Sequence, residues 1–424
     1  MKFDSAFKFI RQVVSLPQAT IDLSLAKAER NDPFFAQVVR DFYTETRKPH
    51  PKMPLLRQFR IGMALCPLPS DFSEYFATVD ASARRNCKKA ERLGYECSPI
   101  DYNQYLEDIR EIRASTPVRQ GKVSEELLTG EVVEVHNPES QDPTHDYPVF
   151  GVKKDGKLVA QASCMVAGDL AMIQHILGHA DYQSDGIVPF MIISMVDHII
   201  KNHPGVRFFG YGTYYGALPK MQRFKAKFNL LPHRVRWILG DGSEKEKKWP
   251  ASFVEPAPRP EGRGRWQMVY RQVLEKFLAV AKRKETEFVL FKNPVLFLMF
   301  AQPLLKLMGT SGYLRSLVKL ITVRRSFYCV FLKEEAVATG WCTTSFCRHY
   351  PVEPGAVVVG PIWTSPDVRR RGLATFALKN AINCHRMSGH RVFYIDTSTD
   401  NPASQKVIEK CGFGRPVKYL PREG

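Results

Sequence analysis

Three arginines and a glycine, Arg369-Arg370-Arg371-Gly372, stand between a β-branched run (357–364, ending in the turn Ser365-Pro366-Asp367) and a stretch with apolar residues at Leu373, Phe376, Ala377, Ala381 and Ile382. That spacing predicts a helix opening at the glycine. Guanidinium groups at a helix start suit an anion, because the first-turn N–H groups lack intrahelical acceptors and the helix dipole is positive there. A second strand over 391–397 and a second helix from Asn401 follow, with asparagine as N-cap and Pro402 at the first helical position. Strand, cationic glycine turn, helix, strand, helix is a layout for holding a phosphorylated ligand. The alternative for the arginines is a solvated charge run.

Two ordered motifs carry a family resemblance. Arg369-x-x-Gly372-x-Ala374 resembles the Q/R-x-x-G-x-G/A signature of the GCN5-related N-acetyltransferases (the GNAT superfamily). Asn401 through Gly412-Phe413 resembles their later N-x-x-(A/S)-x-x-x-(Y)-x-K-x-G-F element. The resemblance implies an acyl-CoA N-acyltransferase. Its co-substrate would be acetyl-CoA in the simplest case, and an amine would attack directly in a ternary complex, without metal. It implies that Arg369, Arg370, Arg371, Gly372, Leu373, Ala374 and Thr375 bind the pyrophosphate. Asn401 and Ser404 would serve the pantetheine arm, which would pair with the backbone of Ile362, Trp363 and Thr364.

Acyl transfer needs a neutral amine and a stabilised oxyanion. In ribosomal-protein acetyltransferases of this superfamily a glutamate on the strand before the asparagine is the base, and alignment puts Asp396 there. A capping carboxylate at a strand end is the competing role for Asp396. The family's general-acid tyrosine falls at Ile408, which cannot donate a proton; Tyr394 or Cys411 would have to substitute, or the thiolate leaves unprotonated or by way of water.

The elements that must position these residues fill a chain of 424 residues, which is long for one core and predicts two domains. The net charge of +18 favours anionic partners: a nucleotide cofactor, nucleic acid or an acidic membrane surface. Nine scattered cysteines fit a reducing, cytoplasmic compartment. Cys342, Cys347 and His349 invite a metal reading but lack a second ligand pair. Residues 1–16 read as a basic amphipathic helix, docked on the domain or peripheral to a membrane. Residues 289–309 are apolar but too interrupted to span a bilayer, and read as core with an apolar acceptor as the alternative.

Residues 30–56 read as irregular. Helices are expected over 82–94 and 101–114 with a short strand at 95–99 between them, a further helix over 124–128, then strands at 147–152, 157–166 and 170–177, a helix at 187–200 and a strand at 206–211. A helical stretch over 219–228 and a strand at 233–239 close this half. A proline- and glycine-rich linker, 251–266, leads to a helix, 267–281. The second half has a strand at 287–291, helices at 294–308 and 313–320, and strands at 326–332 and 336–346. Matching 206–211 to 392–397 gives a domain-scale duplication. The expected fold is therefore α/β (α+β): two tandem GNAT-like domains, 1–250 and 267–424, each a mixed central sheet flanked by helices.

Where the second half has RRRGLA, the first has SDGIVP at 184–189, without the cations, so that copy is expected to have lost CoA binding. The first half is similar instead to the peptidoglycan-bridge (Fem-type) aminoacyl transferases, through Ala83 to Ala90, Gly210-Tyr211-Gly212-Thr213, and Phe224-Lys225 to Phe228. That similarity implies a competing activity, aminoacyl transfer from tRNA. A third reading is a protein that senses acyl-CoA without turnover. His175 and His179 read as surface histidines, while Tyr211, Thr213 and Tyr214 could line an acceptor cleft.

Overall fold

The computed structural model describes residues 2–50, 53–116, 130–240, 256–258, 260, 265–322 and 325–421. The chain divides into two compact units, Ala19–Glu244 and a second made of Lys245–Gly424 with Met1–Gln18. The expected helix at 124–128 and most of the expected linker, 251–266, lie outside the described residues.

In chain order the helices of the first part are α1 (Lys2–Ser15), α2 (Leu25–Asn31), α3 (Pro33–Glu45), α4 (Phe72–Thr78), α5 (Ala81–Arg92), α6 (Leu106–Ala114), α7 (Ile187–Asn202) and α8 (Pro219–Lys227). Its strands are β1 (Gln18–Asp22), β2 (Pro49–His50), β3 (Met53–Arg57), β4 (Ile61–Pro67), β5 (Glu96–Pro99), β6 (His145–Asp146), β7 (Val149–Lys154), β8 (Lys157–Ala167), β9 (Leu170–Gly178), β10 (Phe208–Thr213) and β11 (Leu231–Ile238). The main sheet runs β1-β11-β4-β10-β9-β8-β7-β5, with β6 beside β8. Helix α7 buries Ile187, Met191, Ile192, Met195 and Ile199 against it.

The second unit holds β12 (Trp266–Val273), β13 (Thr286–Phe291), α9 (Pro294–Leu298), α10 (Ala301–Thr322), β14 (Arg325–Leu332), β15 (Glu335–Thr344), β16 (Val357–Thr364), α11 (Leu373–Met387), β17 (Val392–Ser398), α12 (Pro402–Lys410) and β18 (Lys418–Pro421). Its sheet order is β13-β14-β15-β16-β17-β12-β18. Alternation along β14 separates two layers: Tyr328 and Val330 face α11, whereas Phe327, Cys329 and Phe331 face α9 and α10.

The two sheets share one plan. Each has four antiparallel strands ending in a parallel pair, β9/β10 or β16/β17. In each, a strand from early in the unit, β4 or β12, is inserted antiparallel beside the second member of that pair. A later strand, β11 or β18, then flanks the inserted one. The fold is mixed α/β, with two mixed sheets flanked by helices.

Two expectations are corrected. Residues 267–281 are not a helix: Trp266–Val273 is β12, held between β17 and β18, and 274–283 follows as an extended strap. Residues 30–56 are not irregular throughout, because Asp32 caps α3 through the Phe34 N–H with Pro33 at the first helical position. The central strand β4, an apolar run without alternation, was not anticipated; it is buried on both faces, with Gly62 to Cys66 inaccessible. The expected helices at 294–308 and 313–320 join as α9 and α10, the latter bent at Gly309, where φ is +66°.

Candidate functional site

Strands β16 and β17 pair over Val357–Phe393, Val358–Tyr394 and Val359–Ile395 and then part. Beyond that point β16 stays on β15 as far as Thr364, and β17 stays on β12 as far as Ser398. A wedge therefore opens in the middle of the sheet, and one edge of residues 360–364 has no strand partner. Ile362, Trp363 and Thr364 lie on this free edge, with Trp363 exposed.

The cationic turn stands at the end of the same strand. A 3₁₀ turn, Pro366–Val368, leads to Arg369, whose Nε donates to the Thr364 carbonyl at 3.3 Å. Arg370 and Gly372 both occupy the left-handed region, with φ of +63° and +71°. Arg369, Arg370 and Arg371 are all exposed. Gly372 opens α11 with no side-chain cap, so the N–H groups of Leu373, Ala374 and Thr375 are left for a ligand or solvent. Leu373 anchors the turn by packing into the core with Ala377, Leu378, Ala381 and Ile382.

A fourth arginine joins them. Arg283 Nη1 donates to the Arg371 carbonyl at 2.7 Å, and its guanidinium stacks over Phe376 at 5.6 Å. The strap 274–283 brings it there by running antiparallel along α11. The Asn383 side chain takes both the N–H and the carbonyl of Leu278, at 2.9 and 2.8 Å, and Lys379 reaches the Ala279 carbonyl at 3.2 Å. Nothing near Arg283 in sequence announces this role. The only local signal is the basic run Lys282-Arg283-Lys284.

Asp396 lies one residue past the last β16–β17 pair, on the sheet face opposite α11, and is half-buried. Its Oδ1 accepts from the Gln267 amide and its Oδ2 from the Tyr350 hydroxyl at 2.9 Å. Burial, reinforced by the Asp396 charge, raises the Tyr350 pKa far above the ordinary phenol value. Tyr394 is buried and donates to Glu353, whose other oxygen accepts from Arg271 at 2.8 Å. Burial and the Glu353 contact raise its pKa too. Tyr350 and Glu353 come from the loop 345–356, and sequence reasoning missed both.

Asn401 caps α12 through the Ser404 N–H at 3.1 Å, which places Asn401 and Ser404 in one turn at the end of the β17 connection. Ile408 is buried in the α11 core. Cys411 is also buried, and desolvation, opposed by Lys379, pushes its thiol up to about 12. Among the described residues no three His, Cys, Asp or Glu side chains cluster as a metal site. No described helix is long and apolar enough to cross a membrane.

The first unit has the same wedge but a different turn. Asp185 occupies it, with Lys89 at 3.0 Å and the Tyr95 hydroxyl at 2.8 Å. A Cβ at Gly186 would meet the Asn86 carbonyl at 2.7 Å, so helix α5 seats directly on the start of α7. Further along, Lys225 is buried, donates to the Thr213 carbonyl at 2.8 Å and faces the Tyr211 ring at 4.5 Å. Burial lowers its pKa to about 8. His175 sits exposed on β9 and His179 caps the next turn at the Asp181 N–H, so the two do not share a helical face.

With this geometry in place, residues 305–413 match the model of the Acetyltransferase (GNAT) family. The second unit thus carries a GNAT acetyltransferase domain, and the activity class it brings is N-acyl transfer from a CoA thioester. No curated protein sequence matches the chain. Among solved structures, the chain is similar to a tandem GNAT protein from the clavulanic acid biosynthesis pathway, at 12% identity over 77% of this chain and 96% of that one, with a TM-score of 0.27. It is similar to the aminoglycoside 6'-N-acetyltransferase AAC(6')-Ih from Acinetobacter baumannii at 17% identity, 33% and 97% coverage and a TM-score of 0.26. For FemX the values are 13% identity, 42% and 60% coverage, and 0.33.

Proposed function

We propose that the protein transfers an acyl group, in the simplest case acetyl, from CoA to a primary amine within a ternary complex, and that the second unit is catalytic. One observation carries the reading: an uncapped helix start with a left-handed glycine, ringed by Arg369, Arg370, Arg371 and Arg283, stands at the end of a strand that has parted from its neighbour. The donor set fits a diphosphate, which is bound by guanidinium forks and first-turn amides. Leu373, Ala374 and Thr375 supply the amides, while the free edge of Ile362, Trp363 and Thr364 and the turn at Asn401 and Ser404 serve the pantetheine arm.

Acyl-CoA supplies the activated carbonyl: the amine nitrogen bonds to its carbon, the carbon–sulfur bond breaks, and the CoA thiolate leaves unprotonated or takes a proton from water. Asp396, at the mouth of the wedge, takes the proton from the amine, directly or through water. Gln267 and Tyr350 hold its carboxylate in place, and Tyr394 supports the loop that carries Tyr350 through Glu353.

A second reading, acyl-CoA sensing without turnover, draws on a specific observation. The position of the family's general acid is Ile408, buried in the core, and both oxygens of Asp396 are already hydrogen-bonded. Titration with acetyl-CoA and detection of released thiol, against amino sugars, polyamines, amino acids and peptides, separates the two. Release with one amine class establishes transfer, and CoA binding without release from any amine establishes sensing. Tight, salt-dependent tRNA binding with neither would favour the aminoacyl-tRNA reading.

A further inference from the structure

We propose that the second unit docks on an anionic phospholipid surface through α9 and the C-terminal half of α10. Past the bend at Gly309, α10 is apolar on two sides. Tyr313, Leu317 and Leu320 face the core, as one side of a soluble helix should. Leu314, Val318 and Ile321, at i, i+4 and i+7, face outward on the other side. With Val295 and Leu298 of α9 they are 53% to 64% exposed. Single exposed apolar residues are ordinary on any surface. Here five large ones stand on two consecutive helices of one unit, and α1, which packs on α9, adds the exposed Ile10.

Charge identifies the occupant. From Phe288 to Lys333 the sequence has no aspartate or glutamate, while Lys292, Lys306, Arg315, Lys319, Arg324, Arg325 and Lys333 make it net positive. On α10, Arg315 and Lys319 are exposed and directly follow Leu314 and Val318, so a basic stripe borders the apolar one. An apolar stripe edged by long cationic side chains matches the acyl and headgroup layers of an acidic bilayer. A protein partner with an acidic apolar face, or a second copy of the chain, is the competing occupant. Lys306 and Lys333 pair with Glu335 and Glu285, so a second copy would have to bring the remaining five like charges against five, which opposes pairing by this segment.

The test is sedimentation of the full chain with phosphatidylcholine vesicles and with vesicles containing phosphatidylglycerol. Binding to the anionic vesicles should be at least about tenfold stronger than to the neutral ones and should fall with salt. Combined Leu314→Ser, Val318→Ser and Ile321→Ser should weaken it about tenfold or more while leaving CoA affinity unchanged. Arg315→Glu with Lys319→Glu, which leaves every apolar residue in place, should weaken it by about thirtyfold or more. Wild-type binding no better than to neutral vesicles overturns the proposal. So does a dimer, seen by light scattering, that the triple serine variant dissolves.

Discussion

Replacing Gly372 with alanine tests the diphosphate cradle with one methyl group. The position has φ of +71°, and its ideal Cβ would lie 2.7 Å from Arg283 Nη2. Left-handed backbone costs an L-residue roughly 1–2 kcal/mol, so stability should fall by about that amount. For a unit of this size that means a melting temperature lower by roughly 2–8 °C. The larger effect is on binding. The methyl displaces the Arg283 guanidinium from the Arg371 carbonyl and occupies the approach to the first-turn amides. Losing one charge-assisted hydrogen bond, at about 1.5–3 kcal/mol, weakens CoA by about tenfold to a hundredfold or slightly more. Calorimetry with CoA and with pantetheine, which lacks the diphosphate, isolates the cause: CoA affinity falls and pantetheine affinity holds. A folded variant that binds CoA within twofold of the parent would refute the cradle.

Arg283→Ala should lower CoA affinity by about tenfold and flatten its salt dependence, measured by calorimetry at two ionic strengths. Asp396→Asn should reduce turnover by about 10²–10⁴-fold and spare CoA affinity, read from thiol release and calorimetry; a variant that turns over at the parent's rate removes Asp396 as the base. Glu353→Ala leaves Arg271 buried without its carboxylate and should cost about 3–5 kcal/mol in denaturant titration, whereas Tyr394→Phe, which removes one hydrogen bond, should cost about 1. In the first unit, His233 is buried and neutral, with Nδ1–H donating to the Leu231 carbonyl at 2.8 Å, and burial lowers its pKa to about 4. A depressed folded pKa means that the unfolded chain binds the proton first. Its stabilising contribution, about 3 kcal/mol, is complete above the unfolded value near 6.5 and is lost as pH falls towards 4. Thermal melts of His233→Gln should lose that part of the acid dependence.

What the sequence made legible was contiguous. Arg369 to Thr375 forms one turn, and Asn401-Pro402 starts one helix, so type and spacing sufficed to mark them. Arg283 lies 88 residues before Arg371 and reaches it only because Asn383 grips the strap at Leu278. No local pattern encodes that contact. The strap also explains the misread helix: Met268, Val269, Val273, Leu274, Phe277 and Leu278 recur at a near-helical period. Their actual partners are successive, first two neighbouring strands and then the flank of α11. In β4 tertiary burial removed the alternation that would have marked a strand. Tyr350 and Glu353 stayed hidden because a loop has no period, and their importance comes from the carboxylate and the hydroxyl that they meet.

The shared strand order makes the two turns a controlled comparison within one chain. In both units the parallel pair holds for only three positions and then opens, and a glycine in the left-handed region starts the helix that follows. What differs is the charge brought to that helix start. In the first unit a carboxylate of the chain itself, Asp185, already stands there with Lys89 and Tyr95 as its partners, and α5 closes over Gly186. A diphosphate would have to displace an anion that is covalently part of the turn. In the second unit Asp185 has no counterpart, four guanidinium groups gather instead, and the amides of α11 are uncapped. Under the proposed function, a turn already filled by a paired carboxylate and a turn ringed by cations would divide support from CoA binding within one plan of strands, without any change of fold.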